Sequence, residues 1–173
     1  MTHAILAKKI DSICHLKGDF LLRSGTRSHE YFDKYRFESQ PDLLKEIAEQ
    51  MKNFIPEGTE ALAALEMGGI PVGTALSLAT GIPCAFIRKE AKSYGTCQFA
   101  EGFDIKGKKL CIIEDVITSG GQVLLSTDDL RAAGAVVTNV LCVINRGGTD
   151  AEAKLLAKGL TLKSLFIRSD FQK

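Results

Sequence analysis

Several features that would assign the chain to a familiar class are missing from its sequence. The 173 residues include five cysteines but no C-x-x-C pair, so we expect neither a disulfide framework nor a zinc site. No apolar stretch approaches the roughly 20 residues that span a bilayer, and residues 1–4 carry no signal-peptide pattern. These absences predict a cytoplasmic protein without a membrane partner.

An excess of charge of one sign is missing as well. Lysine and arginine together number 22 and aspartate and glutamate 21, so no general attraction to nucleic acid is expected. Neither the P-loop motif G-x-x-x-x-G-K-[ST] nor the dinucleotide motif G-x-G-x-x-G occurs, which argues against two common nucleotide-binding classes. A composition with 45% hydrophobic and 25% charged residues is typical of one globular domain.

The most informative segment that is present reads L-C-I-I-E-D-V-I-T-S-G-G-Q and covers residues 110–122. Its four leading apolar residues are typical of a strand that is buried on both faces of a parallel sheet. A helical pattern follows Gln122 and ends at Gly134. The turn between strand and helix would present unpaired backbone N–H groups and the positive end of the helix dipole. This arrangement predicts an anion site that suits phosphate.

Glu114 and Asp115 lie beside this predicted anion site. They would repel a bare phosphate, but carboxylates are hydrogen-bond acceptors that can orient the vicinal hydroxyls of a sugar. The strand end therefore predicts a site for a phosphorylated sugar. The alternative is a surface acid pair that precedes an ordinary capped helix.

The rest of the chain alternates between strand and helix patterns, which predicts an α/β fold with a parallel sheet. Besides the strand that begins at Leu110, strands are predicted at 61–65, 85–88, 136–144 and 165–167, and helices at 4–16, from Pro41, at 70–79 and at 150–158. Two short strands are predicted before this alternation, at residues 20–23 and 31–35. Because ligands in open α/β sheets bind beyond the carboxyl ends of the strands, candidate site residues should follow each apolar run.

Two loops after predicted strands carry suitable chemistry. Gly68 and Gly69 follow the strand at 61–65 and would let backbone approach a ligand closely, although a tight turn explains them equally well. Arg88, Lys89 and Lys92 form a basic cluster ahead of a long polar loop, and cations of this kind are natural partners for pyrophosphate. The alternative for the cluster is a solvated charge run with Glu90 as its internal partner.

A third loop follows the strand at 136–144 and reads Asn145-Arg146-Gly147-Gly148. A guanidinium group at a strand end can bind a carboxylate through two parallel hydrogen bonds. Arg146 is therefore a candidate for binding an acidic substrate.

These segments together resemble the phosphoribosyl-pyrophosphate (PRPP) signature and loops of the type I phosphoribosyltransferases. Residues from about 18 to 171 resemble the orotate-specific branch of that family, including the block L-R-S-G-T-R-S-H-E-Y-F-D at 22–33. The resemblance implies the type I phosphoribosyltransferase fold, a central, mostly parallel sheet flanked by helices with a small N-terminal hood. It implies a single domain over 1–173, with the hood at about 1–40 and a PRPP-binding α/β core at about 41–173.

The same resemblance implies an activity: transfer of the 5-phosphoribosyl group of PRPP to orotate, with Mg²⁺ bound mainly through PRPP. The implied catalytic residues are Glu114, Asp115 and Lys92. The implied PRPP and phosphate ligands are Arg88, Lys89, Lys92, Tyr94, Glu114, Asp115, Val116, Ile117, Thr118, Ser119, Gly120, Gly121 and Gln122. The implied pyrophosphate loop is Glu66, Met67, Gly68 and Gly69. The implied orotate ligands are Arg23, Tyr31, Phe32, Thr118 and Arg146. The loop at 89–107 would close over a neighbouring subunit's active site, which implies a homodimer.

Three positions depart from the common pattern of this family. Arg23 and Tyr94 stand where many members carry lysine and histidine, and Asn145 stands where many carry aspartate. Two other functions stay open from the sequence: transfer to a different base, and a regulator that binds PRPP without turnover. The N-terminal block and Arg146 argue against the first, and the balanced charge argues against the second.

Overall fold

The predicted alternation of strands and helices is present in the computed structural model, which describes residues 1–22, 25–91 and 98–171. The strands are β1 (His15–Leu21), β2 (Arg27–Phe32), β3 (Ala61–Leu65), β4 (Cys84–Ile87), β5 (Ala100–Glu101), β6 (Lys109–Ile117), β7 (Val136–Asn145) and β8 (Thr161–Ile167). The α-helices are α1 (His3–Cys14), α2 (Tyr35–Glu38), α3 (Pro41–Met51), α4 (Gly69–Thr80), α5 (Gly121–Ala132) and α6 (Gly148–Ala157).

The main sheet has six strands in the order β5-β4-β3-β6-β7-β8. All neighbouring pairs are parallel except β4 and β5, which are antiparallel. The predicted α/β fold with a mostly parallel sheet is therefore confirmed. Strand β5 was not predicted, because two residues are too few to carry a periodic pattern.

Helices cover both faces of this sheet, which explains why its central strands are almost continuously apolar. On one face, the inner sides of α1, α3 and α4 pack against the sheet in a cluster that includes Leu6, Ile47 and Leu76. On the other face, α5 and α6 contribute Val123 and Leu155 to a second cluster. Between the two layers β6 takes the central place, so its carboxyl end opens near the middle of the molecule.

The N-terminal strands β1 and β2 form a separate antiparallel pair. The prediction of two strands here is confirmed, but their predicted bounds of 20–23 and 31–35 are wrong. Strand β1 ends at Leu21, and the chain after Phe32 turns into α2 instead of continuing as strand. Both strands are mostly exposed, so neither shows the apolar alternation by which strand ends are recognised.

Candidate active site at the strand ends

The turn from β6 to α5 has the geometry that the sequence predicted. Strand β6 continues through the two acids to Ile117, and Gly120 adopts a left-handed conformation with φ of 76° immediately before α5 begins at Gly121. Gly120, the N-cap residue of α5, has no side chain, the N–H of Gly121 makes a long hydrogen bond of 3.4 Å to Oγ of Ser119, and Thr118 and Ser119 are exposed. The first N–H groups of α5 and two hydroxyls therefore converge on one exposed turn, an arrangement that suits an anion.

Three helices begin at this edge of the sheet. Helices α4, α5 and α6 begin after the neighbouring strands β3, β6 and β7, respectively. Since the strands are parallel, the positive ends of the three helix dipoles lie along the same edge. A ligand with two separate anionic groups would find a positive helix end for each.

The two acids of β6 are enclosed. Asp115 is fully buried, with its Oδ2 atom 2.6 Å from Nζ of Lys34, a residue that precedes α2. The Oδ1 atom of Asp115 accepts a hydrogen bond from the backbone N–H of Val116. Glu114 is half-buried, and its Oε2 atom has no hydrogen-bond partner among the residues described. Glu38, at the end of α2, is also buried beside Asp115.

Enclosure shifts the protonation of this cluster. Burial, together with the nearby charge of Asp115, raises the pKa of Glu114 to about 8. Burial and the hydrogen-bonding contact with Asp115 raise the pKa of Glu38 to about 9. Burial alone would lower the pKa of Lys34, but the close approach of Asp115 outweighs burial and raises it. Lys34 is therefore charged, and both Glu38 and Glu114 hold a proton more tightly than an ordinary glutamate.

Gly68 and Gly69 bring the loop after β3 against this acid cluster. A Cβ atom at Gly68 would lie 1.7 Å from Oδ2 of Asp115, and one at Gly69 would lie 2.4 Å from the carbonyl oxygen of Ile113. Gly68 has an ordinary φ of −70°, so the requirement here is space rather than an unusual torsion angle. The glycines therefore let this loop pack closely against the acids, and its approach to a ligand stays a prediction.

The start of the basic cluster lies beside the same loop. The backbone N–H of Lys89 donates a hydrogen bond to Oε1 of Glu66, 2.6 Å away. The charge of Lys89 also acts on Glu114, whose pKa it lowers against the larger effect of burial. Arg88 follows β4 and is half-buried. Lys92 and Tyr94 lie outside the described residues.

A second set of predicted residues lines a cavity of about 620 Å³ between the N-terminal strand pair and the sheet. Its walls include Tyr31 and Phe32 of β2, and also Arg146, whose guanidinium carbon lies 5.4 Å from the centre of the Phe32 ring. Burial lowers the pKa of Arg146, and the charge of Arg168 lowers it further. Two guanidinium groups that repel each other thus share one cavity, and either of them can bind an anionic group of a ligand. Arg23 lies outside the described residues.

Thr118 connects the turn between β6 and α5 to this cavity. A Cβ atom at Gly147 would lie 1.9 Å from the carbonyl oxygen of Thr118, so the turn after β6 lies directly against the loop that carries Arg146. The backbone N–H of Arg146 donates to the carbonyl oxygen of Ile117, 2.8 Å away. The two loops therefore form one surface.

Asn145 supports that surface from behind. It is fully buried, and its Oδ1 atom accepts a hydrogen bond from the backbone N–H of Gly148 while its Nδ2 atom donates to Glu152. Its side chain thus caps the start of α6. The departure to asparagine at this position is compatible with a firmly held loop, because an amide supplies both hydrogen bonds.

Sequence reasoning missed three residues of the site: Lys34, Glu38 and Arg168. The first two are four residues apart, a spacing that places side chains on one side of a helix, but nothing in their sequence indicates Asp115 as a partner. Arg168 follows the last strand, as the other site residues follow theirs. The rule that ligands bind beyond strand ends could have found it.

The acid cluster bears on the divalent cation that the family resemblance implies. Within residues 1–22, 25–91 and 98–171, no group of three or more histidine, cysteine, aspartate or glutamate side chains could hold a metal ion. The unpartnered, buried Oε2 atom of Glu114 lies beside the glycine loop. This oxygen would be available as one ligand of a cation that is bound mainly through phosphate oxygens.

The same described residues include no helix with the length and apolar character that crossing a membrane requires.

Comparisons with known proteins agree with this geometry. The profile of the phosphoribosyl transferase domain family matches residues 36–167. The chain is 47% identical to the orotate phosphoribosyltransferase of Nocardioides sp. over 96% of its own length and 93% of the relative. It is 39% identical to the orotate phosphoribosyltransferase of Methanocella arvoryzae over 88% and 87% of the two chains. The crystal structure of Mycobacterium tuberculosis orotate phosphoribosyltransferase in complex with Fe(III) dicitrate has a TM-score of 0.88 and 26% identity, and covers 99% of each chain.

Proposed function

The chain belongs to the orotate phosphoribosyltransferase family, and we propose how its residues divide the work of that reaction. The reaction joins C1 of PRPP to a ring nitrogen of orotate, giving orotidine 5′-monophosphate and pyrophosphate in the de novo synthesis of UMP. One observation carries the assignment: the glycine turn, the acid pair and the cavity with two arginines lie at neighbouring strand ends.

The proposed site for ribose 5-phosphate is the β6–α5 turn. The backbone N–H groups at the start of α5 and the hydroxyls of Thr118 and Ser119 bind the 5′-phosphate. Glu114 and Asp115 accept hydrogen bonds from the ribose hydroxyls. The unpartnered Oε2 atom of Glu114 supports this role, because a hydroxyl donor would satisfy a buried acceptor.

The proposed site for pyrophosphate is the glycine loop after β3 together with the basic cluster. Residues 66–69 approach the leaving group through backbone atoms, and Arg88, Lys89, Lys92 and Tyr94 provide charge or a hydrogen-bond donor. Magnesium, bound through the phosphate oxygens of PRPP, would neutralise part of the charge on the departing pyrophosphate.

The proposed site for orotate is the cavity beneath the N-terminal strands. Arg146 binds the carboxylate that distinguishes orotate from uracil, and Tyr31 and Phe32 provide an aromatic surface for the flat ring. Arg23 and Thr118 complete the contacts. Arg168 adds a second positive charge, which supports an anionic base over a neutral one.

The chemistry requires no nucleophile from the protein. As pyrophosphate departs, positive charge develops on the ribose, and nearby carboxylates stabilise that charge in an enclosed site. The orotate nitrogen then attacks from the neighbouring cavity. The predicted loop at 89–107 includes β5 at 100–101. Its part before β5 excludes water from the reactive intermediate and, in a homodimer, reaches the partner subunit's site.

An orotate turnover assay tests the proposal directly. With protein, PRPP and Mg²⁺ present, the ultraviolet absorbance band of orotate should decline in step with pyrophosphate release. A PRPP sensor is the second candidate, and it would bind PRPP tightly while that band persists. Persistence of the band at saturating PRPP would refute the enzymatic proposal.

Arg146→Gln tests the orotate site within the same assay. Loss of a bidentate partner should raise KM for orotate by about tenfold or more and leave KM for PRPP nearly unchanged. Arg27→Gln is the control, because Arg27 is an exposed arginine of β2 that pairs with Asp19. Equal effects of the two substitutions would contradict the assignment of Arg146.

A further inference from the structure

Lys34 and Glu38 have no place in the assignment above, yet they contact its central acid. Lys34 precedes α2 and approaches Asp115 to 2.6 Å, while Glu38 ends α2 and is buried against the same carboxylate. Both residues belong to the segment that connects the N-terminal strands to the core. Asp115 belongs to the central strand of the sheet.

The acidic groups in this cluster outnumber the basic ones. Asp115 and Glu38 are both buried, and the nearby cation is Lys34, whose side chain is partly exposed. Two buried carboxylates beside one lysine cannot both ionise without a large electrostatic cost, so one of them holds a proton. Glu38, whose pKa is raised, can then donate a hydrogen bond towards Asp115.

The geometry leaves Asp115 little room. Its Oδ2 atom contacts Lys34 on one side and occupies, on the other, space that a side chain at Gly68 would need. The Oε1 atom of Glu38 lies 3.0 Å from the same Cβ position at Gly68. The lysine, both acids and the glycine loop are therefore packed around one point.

We propose that Lys34 and Glu38 are positioning residues for the reaction, which hold the Asp115 carboxylate in a fixed orientation against the glycine loop that receives pyrophosphate. They act through Asp115 and need not touch substrate. This proposal rests on the proposed contact between Asp115 and the ribose of PRPP. It predicts that changes at α2 affect the use of PRPP selectively, although α2 borders the N-terminal strands.

Two matched pairs of substitutions test the proposal. Lys34→Met removes the charge and Lys34→Arg keeps it; Glu38→Leu removes the hydrogen bond and Glu38→Gln keeps a donor of the same shape. Lys45→Met, at an exposed position of α3, is the control for loss of a lysine. For each variant, kcat and the KM values for PRPP and orotate are measured, together with the melting temperature and calorimetric binding of Mg-PRPP.

We expect Lys34→Met and Glu38→Leu to lower kcat/KM for PRPP at least about tenfold, with KM for orotate within about twofold of wild type. Glu38→Gln should retain most of the wild-type value, and Lys34→Arg should recover part of the loss. Wild-type kcat/KM for PRPP in both Lys34→Met and Glu38→Leu would overturn the proposal. So would equal losses in Glu38→Gln and Glu38→Leu, or equal increases in the KM values of both substrates.

The test still gives an answer if a variant fails to fold or if the protein does not consume orotate. If Lys34→Met does not fold, the Glu38 pair still separates a positioning role from a merely structural one. If the wild-type protein binds Mg-PRPP but does not consume orotate, the proposed function fails, whereas the calorimetric comparison still tests the positioning role. Unchanged affinity for Mg-PRPP in Glu38→Leu would then refute it.

Discussion

Three carboxyl groups and one lysine share a space at the end of β6 that water barely reaches. Asp115 and Glu38 are buried, Glu114 is half-buried, and Lys34 is the cation that approaches them. Such a cluster lowers stability unless each charge is compensated, because ions lose their hydration on burial. Its position at the edge where the substrates would meet supports the proposed role in catalysis.

The first prediction follows from the raised pKa of Glu38, about 9 in the folded protein against about 4.5 for an ordinary glutamate. The folded state keeps a proton that the unfolded chain has released, so this contribution to stability is complete below pH 4.5 and is lost as the pH rises towards 9. Glu38→Gln has no proton to lose. It should reduce the fall in unfolding free energy between pH 6 and pH 9 by about 1–3 kcal/mol, as measured by urea denaturation.

A second acid and a control variant help to interpret the pH dependence of Glu38→Gln. Glu114, with a pKa raised to about 8, contributes in the same direction, so some pH dependence should remain in Glu38→Gln. Glu57→Gln, at an exposed turn, should follow the wild-type curve. Parallel curves for Glu38→Gln and wild type would show that Glu38 titrates normally.

Gly68→Ala is the second prediction at this scale. Its Cβ atom would lie 1.7 Å from Oδ2 of Asp115, so the acid or the loop must move by an ångström or more. A displacement of that size at a reacting centre typically lowers turnover by about a hundredfold, and we expect this loss in kcat/KM for PRPP. The control is Gly18→Ala in β1, where the nearest atoms belong to the adaptable Phe20 side chain. Wild-type kinetics in Gly68→Ala would contradict the close approach.

Some residues of the candidate site could be predicted from the sequence and others could not, for a physical reason. Glu114, Asp115 and Arg146 follow apolar strand patterns, so local periodicity placed them at strand ends. Lys34 and Glu38 reach the site only through long-range packing of α2 against the sheet, which no local pattern encodes.

Among the secondary-structure elements, strands with two buried faces and helices that end at a glycine were predicted best. The strand at 61–65 was predicted with the bounds that β3 has, and α5 was predicted with its end before Gly134. The bounds of the N-terminal strands were wrong, because exposed strands depend on pairing with each other rather than on burial. The bounds of β1 and β2 are thus determined by the pairing of two segments, which the pattern within one segment does not predict.

The start of α6 provides a prediction for an element. Asn145 is fully buried, and its side chain joins the end of β7 to the N–H of Gly148 and to Glu152. Asn145→Ala would leave these groups unpaired and should lower the free energy of unfolding by about 1–3 kcal/mol. Asn53→Ala, at an exposed position, should change it little. Because the same loop carries Arg146, KM for orotate should rise as well. Wild-type stability together with wild-type KM would exclude this support.

At the scale of the whole molecule, the N-terminal segment has two roles. Helix α1 packs into the same buried cluster as α3, α4 and the sheet, whereas β1 and β2 remain an exposed pair above the cavity. The resemblance to phosphoribosyltransferases suggested a hood here, but composition and periodicity did not. They also could not indicate an oligomer, because the residues that join subunits need not differ in composition from the rest of a surface.

The proposed dimer gives the last prediction, which asks whether the loop at 89–107 acts in the partner subunit's site. Asp115→Asn removes the acid of one site and Lys92→Gln removes a loop cation; each variant alone should be nearly inactive. If the loop acts across the dimer, a mixed dimer contains one site with both defects and one site with neither. After complete subunit exchange of equal amounts, half of the dimers are mixed, so activity should recover to about a quarter of wild type. If the loop serves its own subunit, both sites of a mixed dimer carry one defect, and mixing should restore nothing. The control is subunit exchange between Asp115→Asn and a double variant that carries both Asp115→Asn and Lys92→Gln. This mixture cannot produce an intact site under either arrangement. Recovery in the first mixture but not in the control would establish the shared site, whereas activity equal to the sum of the separate variants would contradict it.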